Sequence, residues 1–294
     1  MDEHHWLAAR FEEHRPHLRS VAYRMLGSLA EADDAVQDAW LRVSRAGADD
    51  VENMGGWLTT IVARVCLNVL RSRTSRGEQP LPLHLPDPVV APEGSPQPEN
   101  DAVLSDSVGL ALLVVLDTLA PAERLAFVLH DMFGLPFEEI APLVDRTPAA
   151  ARQLASRARR RVRGAAVPSP DTDRARQRAV VDAFFAAAHG GDFEALVAVL
   201  HPEVVLRSDG GTQRVASAEL QGAEAVASRA MRFAMPDAVL HPVVVNGTAG
   251  VVVTLRGQPF SVMGFTVVEG RIVEIDAIAD PERVRRIAAP VLDR

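Results

Sequence analysis

Seven prolines stand between residues 80 and 98, and they decide how this chain of 294 residues can be divided. Proline lacks a backbone donor and blocks continuation of a helix, so we predict that residues 77–102 form an extended linker. Leu81, Leu83, Leu85 and Val89 stand among these prolines. This apolar content predicts that the linker lies on a surface of the protein.

The two segments that flank the linker differ in periodicity from the C-terminal part of the chain. Apolar residues recur at helical spacing in residues 1–76 and 103–166, which predicts two all-α domains. Residues 174–294 begin with two predicted helices and continue mainly as strands, with a further helix around 219–233. The turn signals Asn246-Gly247 and Glu269-Gly270 lie between apolar strands. We therefore predict a multidomain chain that ends in a cone-like α+β domain.

Composition limits the classes of protein that fit. The single cysteine excludes an internal disulfide and a cysteine-only metal cage. The acidic N-terminus and the lack of a long apolar run predict a cytoplasmic protein that does not enter the membrane. The net charge is −8, yet lysine is absent and the arginines cluster around 71–76 and 152–163. Such clustering allows a basic DNA-binding face on an acidic chain.

Residues 137–163 have the pattern of a helix-turn-helix. A short helix opens at Phe137, and Asp145-Arg146-Thr147 reads as a tight turn. Thr147 is suited to cap the next helix and Pro148 to occupy its first position. The second helix is rich in arginine and has no acid between 148 and 163. By itself the segment also fits a solvated basic helix in a helical hairpin.

The order of motifs along the chain resembles an extracytoplasmic-function RNA polymerase sigma factor. Arg24–Ser28 and Ala32–Arg42 resemble sigma region 2, and 103–164 resembles the helix-turn-helix of sigma region 4. The resemblance implies two partners, core RNA polymerase and promoter DNA, and no cofactor. The residues that it assigns to polymerase binding are Asp33, Asp34, Gln37 and Asp38.

The same resemblance assigns the DNA contacts to two helices. Region 2 would open the −10 element, with the predicted residues Arg64, Asn68, Arg71 and Arg73. Region 4 would read the −35 element, with the predicted residues Arg152, Gln153, Arg157, Arg160 and Arg161. Arginines supply phosphate contacts, whereas polar residues at the start of the second helix reach base edges.

The remaining residues resemble the sigma subgroup with a C-terminal SnoaL-like, ketosteroid-isomerase-like domain. Three motifs carry this resemblance and define the predicted interdomain regulatory residues: Leu85, Pro86, Asp87 and Pro88; Asp209, Gly210 and Gly211; Asp280 and Pro281. Thr212 and Asp280 depart from the family pattern of a glycine and an asparagine. The resemblance implies regulation in cis, without a separate anti-sigma factor. It also allows a small-molecule ligand in the C-terminal domain.

Two other functions stay open at the level of sequence. One is a ligand-sensing DNA-binding regulator that does not engage polymerase, and the other is a cyclase-like enzyme with a DNA-binding module. The enzyme would need a carboxylate base in an apolar pocket, for which Asp209, Asp276 and His241 are the candidates. Their spacing forms no dyad, so we expect the protein not to be an enzyme. His14 and His17 have helical spacing but no further ligand in sequence, and we expect no metal site.

Overall fold

The protein divides into two compact units. The computed structural model describes residues 3–46, 51–75, 84–94, 109–165, 167–211 and 217–292. Thr212 and the predicted linker residues 77–83 and 95–102 lie outside the described residues. One unit comprises 1–79 and 112–166, and the other comprises 80–111 and 167–294. Linker residues 84–94 therefore belong to the C-terminal unit.

The first unit begins with three helices, α1 (Glu3–Leu26), α2 (Leu29–Ala46) and α3 (Met54–Ser75). Each has a stripe of apolar side chains that is buried against the other two, as the periodicity predicts. Ala32, Val36 and Val43 of α2 are fully buried or nearly so. This packing leaves the acidic positions of α2 on the opposite face.

The helices described after the linker are α4 (Leu110–Asp117), α5 (Pro121–Phe127), α6 (Phe137–Ile140) and α7 (Pro148–Gly164). A π-helical turn, Val128–Met132, extends α5. Pro142 cannot donate to a helical carbonyl, and α6 gives way there to a 3-10 turn, Ala141–Leu143. Asp145 has a φ of 55° in the turn before α7, and Thr147 accepts a hydrogen bond from the Ala150 amide. These features confirm the predicted cap and tight turn.

The two helical groups of the first unit pack directly against each other. Arg124 of α5 is only 2% exposed. Its Nη1 donates to Asp117 Oδ1 over 2.8 Å, and its Nε donates to the Arg24 backbone carbonyl in α1 over 3.2 Å. The Arg24 guanidinium lies 5.0 Å from the centre of the Phe133 ring. A buried arginine on one group thus satisfies a backbone acceptor on the other.

The C-terminal unit is an α+β domain with a seven-stranded sheet in the order β1-β4-β5-β6-β7-β2-β3. The strands are β1 (Val90–Pro92), β2 (Leu200–Asp209), β3 (Ala218–Gln221), β4 (Ala238–Val245), β5 (Thr248–Leu255), β6 (Gln258–Val268) and β7 (Arg271–Ile278). The helices are α8 (Arg174–Gly190), α9 (Phe193–Val199), α10 (Ala223–Arg232) and α11 (Pro281–Leu292). One sheet face forms a core with α8, α9 and α10, which includes Phe184, Val226 and Ile275.

Some elements differ from the sequence prediction. The helix predicted around 219–233 is a strand, β3, followed by the shorter helix α10, with Gly222 at a φ of 97° between them. Helix α11 and strand β1 were not predicted, because prolines interrupt both segments. The two predicted hairpin turns are confirmed, since Asn246, Gly247, Glu269 and Gly270 all have positive φ. Pairing of β2 with β7 is parallel, whereas the other strand pairs are antiparallel.

Candidate functional site

The predicted polymerase-binding residues share the exposed face of α2. Asp33, Asp34, Gln37 and Asp38 are all exposed. Asp33 pairs with Arg19 over 2.7 Å, and Asp38 lies 3.5 Å from Arg42. Asp34 makes no ion pair with another residue that the structure describes. The helix therefore presents a group of carboxylates that is only partly neutralised and could attract a basic partner.

Helix α3 presents three of its four predicted DNA-binding residues on one side. Arg64, Asn68 and Arg71 are exposed at spacings of four and three residues, which places them along one helix face. Arg71 also lies 3.9 Å from the Asp145 carboxylate. Arg73 instead forms an ion pair with Glu31 of α2 and is half-buried. The sequence did not reveal this pairing, because the two residues are far apart in the chain.

Helix α7 is the second helix of the helix-turn-helix, and its arginines fall into two groups. Three alanines, at positions 151, 155 and 158, form its buried side. At about 100° per residue, Gln153 and Arg160 lie directly opposite this buried side, and Ser156 and Arg163 lie toward one edge of the outward face; all four are exposed. Ser156 and Arg163 were not among the predicted DNA-binding residues, although the helical spacing alone places them at this edge.

The other arginines of α7 have partners within the first unit. Arg157 donates to Glu123 over 2.7 Å, and Arg161 lies 3.6 Å from the same carboxylate. The Arg152 guanidinium stacks 5.2 Å from the centre of the Phe137 ring. These three predicted DNA-binding residues are therefore already engaged at the flanks of the helix, whereas Gln153 and Arg160 point outward.

The predicted regulatory motifs meet in one ion-pair cluster of the C-terminal unit, which we call the linker clamp: Asp87, Asp209, Arg283 and Arg286. The two carboxylates of this cluster are buried. Arg283 of α11 donates from Nε to Asp87 Oδ1 over 2.7 Å and from Nη1 to Asp209 Oδ2 over 2.5 Å. Its remaining nitrogen, Nη2, donates to the Leu85 carbonyl. Arg286 donates to Asp87 Oδ2 over 2.7 Å. The guanidinium of Arg283 thus joins the linker to the end of strand β2.

Asp209 also binds the linker backbone. Its Oδ2 accepts from the Leu85 amide over 2.9 Å, and its Oδ1 accepts from the Gly211 amide over 2.9 Å. Burial acts to raise the pKa of Asp209, but hydrogen bonds from His84, Leu85 and Gly211 and the charge of Arg283 outweigh it. The pKa of Asp209 therefore lies well below its usual range, and the clamp contains a carboxylate that stays ionised.

The remaining residues of the predicted motifs, in 210–211 and 280–281, surround this cluster. Asp280 accepts hydrogen bonds from the amides of Glu282 and Arg283, which caps the start of α11 and orients Arg283. Gly211 has a φ of 60°, and a Cβ at this position would overlap the Asp280 carboxylate. Gly210 is buried, whereas Pro281 is exposed at the first turn of α11.

The linker continues from the clamp into the sheet. Leu85, Pro86, Asp87, Pro88 and Val89 are all buried. Val89 exchanges two hydrogen bonds with Asn246: its amide donates to the side-chain Oδ1 over 2.7 Å, and its carbonyl accepts from the Asn246 amide over 2.9 Å. Residues 90–92 then pair with β4 as the edge strand β1. The apolar content of the linker predicted that it lies on a surface of the protein, and this surface belongs to the C-terminal domain.

Three functional residues of this site, Asn246, Arg283 and Arg286, were missing from the predicted set. Arg283 belongs to the motif Asp280-Pro281-Glu282-Arg283-Val284, so its place in that motif was the available signal. Arg286 follows one turn later on the same helix, and the spacing of three could have indicated it. Asn246 carried only a turn signal, because its pairing with the linker depends on tertiary structure.

A cavity of about 130 Å³ lies in the C-terminal domain, lined mainly by apolar side chains of α8, α10 and the sheet. None of the three candidate catalytic residues lines it. Asp209 belongs to the linker clamp. The His241 side chain forms a hydrogen bond with Thr254 Oγ1 over 3.0 Å. His241 lies on the face of β4 opposite to its neighbour Leu240, which lines the cavity.

Asp276 is also directed away from the cavity. Asp276 and the nearby Glu274 each form an ion pair with Arg207 over 3.1 Å. The next residue along the strand, Ala277, lines the cavity, so the Asp276 side chain points to the opposite face of the sheet. Burial raises the pKa of Asp276 to about 6, against the opposing effect of Arg207. The described part of the chain therefore places no acid–base pair in the pocket.

Among the residues of known placement, no group of three metal-binding side chains is found. Within the same residues, no helix is long and apolar enough to cross a membrane.

A helix-turn-helix with an outward arginine face, a second helical group with an acidic face and a domain that holds their connecting segment define a modular transcription factor. Family comparisons agree: residues 10–76 match sigma-70 region 2, 109–162 match sigma-70 region 4 and 181–275 match a SnoaL-like domain. The chain belongs to the extracytoplasmic-function (ECF) RNA polymerase sigma factors, in the group with a fused SnoaL-like domain. It directs RNA polymerase to promoters for the initiation of transcription, and this family implies a protein that is not an enzyme.

The similarity extends over the whole chain. "Probable ECF RNA polymerase sigma factor SigI" of Mycobacterium tuberculosis is 32% identical over 290 residues, which cover 98% of both chains. "ECF RNA polymerase sigma factor SigJ" of the same species is 43% identical over 202 residues, which cover 68% of this chain and 64% of that one. The crystal structure of SigJ superimposes with a TM-score of 0.74 and 34% identity, covering 94% of this chain and 97% of the other.

Proposed function

We propose that the C-terminal domain regulates this sigma factor in cis by holding the linker between the two sigma regions, and that no separate anti-sigma factor is required. The linker clamp carries this proposal. Five consecutive linker residues are buried, and a carboxylate that stays ionised binds both the linker backbone and Arg283. Because the clamped segment joins the two sigma regions in the chain, holding it restricts how far these regions can move apart.

The compact first unit supports an inhibitory direction for this regulation. The −10 and −35 elements are about 25 base pairs apart, which is about 85 Å of B-form DNA at 3.4 Å per base pair. A compact unit of about 130 residues has a radius of gyration of only about 14 Å. The two helical groups, in contact through Arg124 and the Arg24 carbonyl, must separate to reach both elements. We infer that linker release favours the open, active arrangement.

Run-off transcription with core RNA polymerase and the full-length chain tests this regulation. We expect promoter-specific transcripts from the wild-type protein and a several-fold increase from Asp87→Asn, which removes the charge that binds Arg283 and Arg286. Asp237→Asn, an exposed aspartate of the same domain, serves as the matched control and should behave as wild type. Equal transcription from all three proteins would contradict regulation by the clamp, and less transcription from Asp87→Asn would reverse its proposed direction.

We propose that promoter contact by α7 is made from its outward face rather than by all of its arginines. Arg160→Gln should weaken binding of the polymerase holoenzyme to a promoter fragment and lower the slope of log affinity against log salt by about 1. Arg159→Gln removes the same charge from the same helix, but Arg159 pairs with Asp131. We expect its salt slope to match wild type. A wild-type slope for Arg160→Gln would rule out a phosphate contact by this residue.

We also propose that the cavity of the C-terminal domain binds a small-molecule ligand and does not catalyse a reaction. Its lining is almost wholly apolar, and the three candidate catalytic residues lie elsewhere. General acid–base catalysis requires a titratable group within hydrogen-bonding reach of the substrate. Of the described lining residues, only Arg229 is charged, and an arginine remains protonated at neutral pH. Such a pocket is suited to binding.

A further inference from the structure

The cavity of the C-terminal domain has a shape that suits a compact apolar group. Its walls include four phenylalanines, at positions 184, 185, 233 and 260, together with Met235 and Met263. The volume of about 130 Å³ is comparable with an engineered apolar cavity of about 150 Å³ that binds benzene. Phe233 lines the cavity and is 43% exposed, so the cavity reaches the surface beside this ring.

Arg229 gives the cavity one positive charge, which lacks an acidic partner among the described residues. Its guanidinium stacks 4.3 Å from the centre of the Phe233 ring, at the side where the cavity reaches the surface. Burial and the charge of the neighbouring Arg232 both lower the pKa of Arg229. Arg229 is therefore partly desolvated without a compensating anion in the described chain, and an anionic ligand group would supply that compensation.

We propose that this cavity binds a small apolar molecule with one carboxylate, which places its apolar part against the phenylalanines and its carboxylate on Arg229. This assignment rests on the proposed function, since it names the class of ligand for the regulatory domain. The carboxylate geometry matches the planar donor set of a guanidinium, which can donate two parallel hydrogen bonds. Ser208 and Ser261 are the other polar lining residues, and each has a neutral hydroxyl.

The position of the cavity connects such a ligand to the linker clamp. Ser208 and Ala279 line the cavity, and each directly precedes a residue of the predicted regulatory motifs, Asp209 or Asp280. The Ala279 amide donates to the Asp209 backbone carbonyl over 2.7 Å. A molecule in the cavity would therefore lie against the end of β2 and the residue that follows β7, next to Asp209 and Asp280.

Isothermal titration of the full-length protein with 4-phenylbutyrate and with its neutral counterpart 4-phenylbutan-1-ol tests the ligand class. We expect the wild type to bind the acid about tenfold or more tightly than the alcohol, because only the acid forms a charged hydrogen bond. Arg229→Gln should weaken binding of the acid by about tenfold or more and change binding of the alcohol by less than about twofold. Arg232→Gln removes the charge of an exposed arginine of the same helix that does not line the cavity. It should weaken binding of the acid far less than Arg229→Gln and leave binding of the alcohol unchanged.

A second variant separates the cavity from the surface of the helix. Ala230→Trp fills the cavity from α10 and should abolish binding of both compounds, with circular dichroism to confirm that the protein is folded. Absence of binding to the wild type, equal affinity for acid and alcohol, or equal losses in Arg229→Gln and Arg232→Gln would each overturn the proposal. The titration contains no polymerase or DNA, so its failure leaves the transcriptional test of the linker clamp independent.

Discussion

Arg283→Gln is expected to lower the free energy of unfolding of the C-terminal unit by about 3–5 kcal/mol, the usual cost of removing one partner from a buried ion pair. Arg283 is mostly buried and donates to two carboxylates, Asp87 and Asp209, and to the Leu85 carbonyl. Glutamine is shorter and uncharged, so both carboxylates would lose this cation. The expected fall in Tm is roughly 10 °C for a unit of this size. Calorimetry or urea unfolding of the full-length protein measures the change.

Arg285→Gln provides the matched control for this experiment. Arg285 lies on the same helix, but it is exposed and its side chain bonds only the Pro281 carbonyl among the described residues. Its replacement should change the free energy of unfolding by less than about 0.5 kcal/mol. The Arg283 variant should also expose residues 84–94 to limited proteolysis before the unit unfolds. Wild-type stability and wild-type proteolysis in Arg283→Gln would contradict the role of this residue in linker binding.

The double variant Asp34→Arg, Asp38→Arg is expected to lower the affinity for core RNA polymerase by about 100-fold or more. Like-charge contacts across an interface cost several kcal/mol, and each 1.4 kcal/mol is a factor of ten. Both residues are exposed on α2, and their replacement leaves the Arg19–Asp33 pair intact. Affinity chromatography on immobilised polymerase and run-off transcription should both report the loss.

Reversal of two exposed acids elsewhere controls for net charge. Glu219→Arg, Asp237→Arg makes the same change in charge within the C-terminal unit and should retain polymerase binding. Circular dichroism should show equal helix content for the two double variants. Equal binding by both would place the polymerase contact on a surface other than the acidic face of α2.

Local sequence patterns predicted most of the helices and the order of the domains. The buried stripe of α2, the Thr147 cap and the glycine turns each depend on residues within a few positions, so spacing alone indicates them. The family resemblance drew on the same local motifs, and it identified the sigma regions and the SnoaL-like domain before any contact was known. The segment around 219–233 was mistaken for one helix, because Gly222 at a positive φ separates a strand from the helix there.

Contacts between distant residues could not be predicted in this way. Arg157 and Arg160 look equivalent in the sequence, but packing of α7 directs Arg157 to Glu123 and leaves Arg160 outward. Similarly, Asp276 was a reasonable catalytic candidate on an apolar strand. Whether such a residue faces the pocket depends on strand register, since adjacent side chains point to opposite faces of a sheet.

By itself, the sequence determined the apolar periodicity of most helices, the Thr147 cap, the glycine turns, and the family to which the chain is similar. Only the tertiary structure decided that the proline-rich linker becomes the edge strand β1 and that its Asp87 meets Arg283, 196 residues later in the chain. The physical reason is that helical and strand periodicities depend on residues that are close together in the sequence, so local patterns are sufficient to indicate them. A buried ion pair between distant residues exists only when folding removes both from water and brings them together.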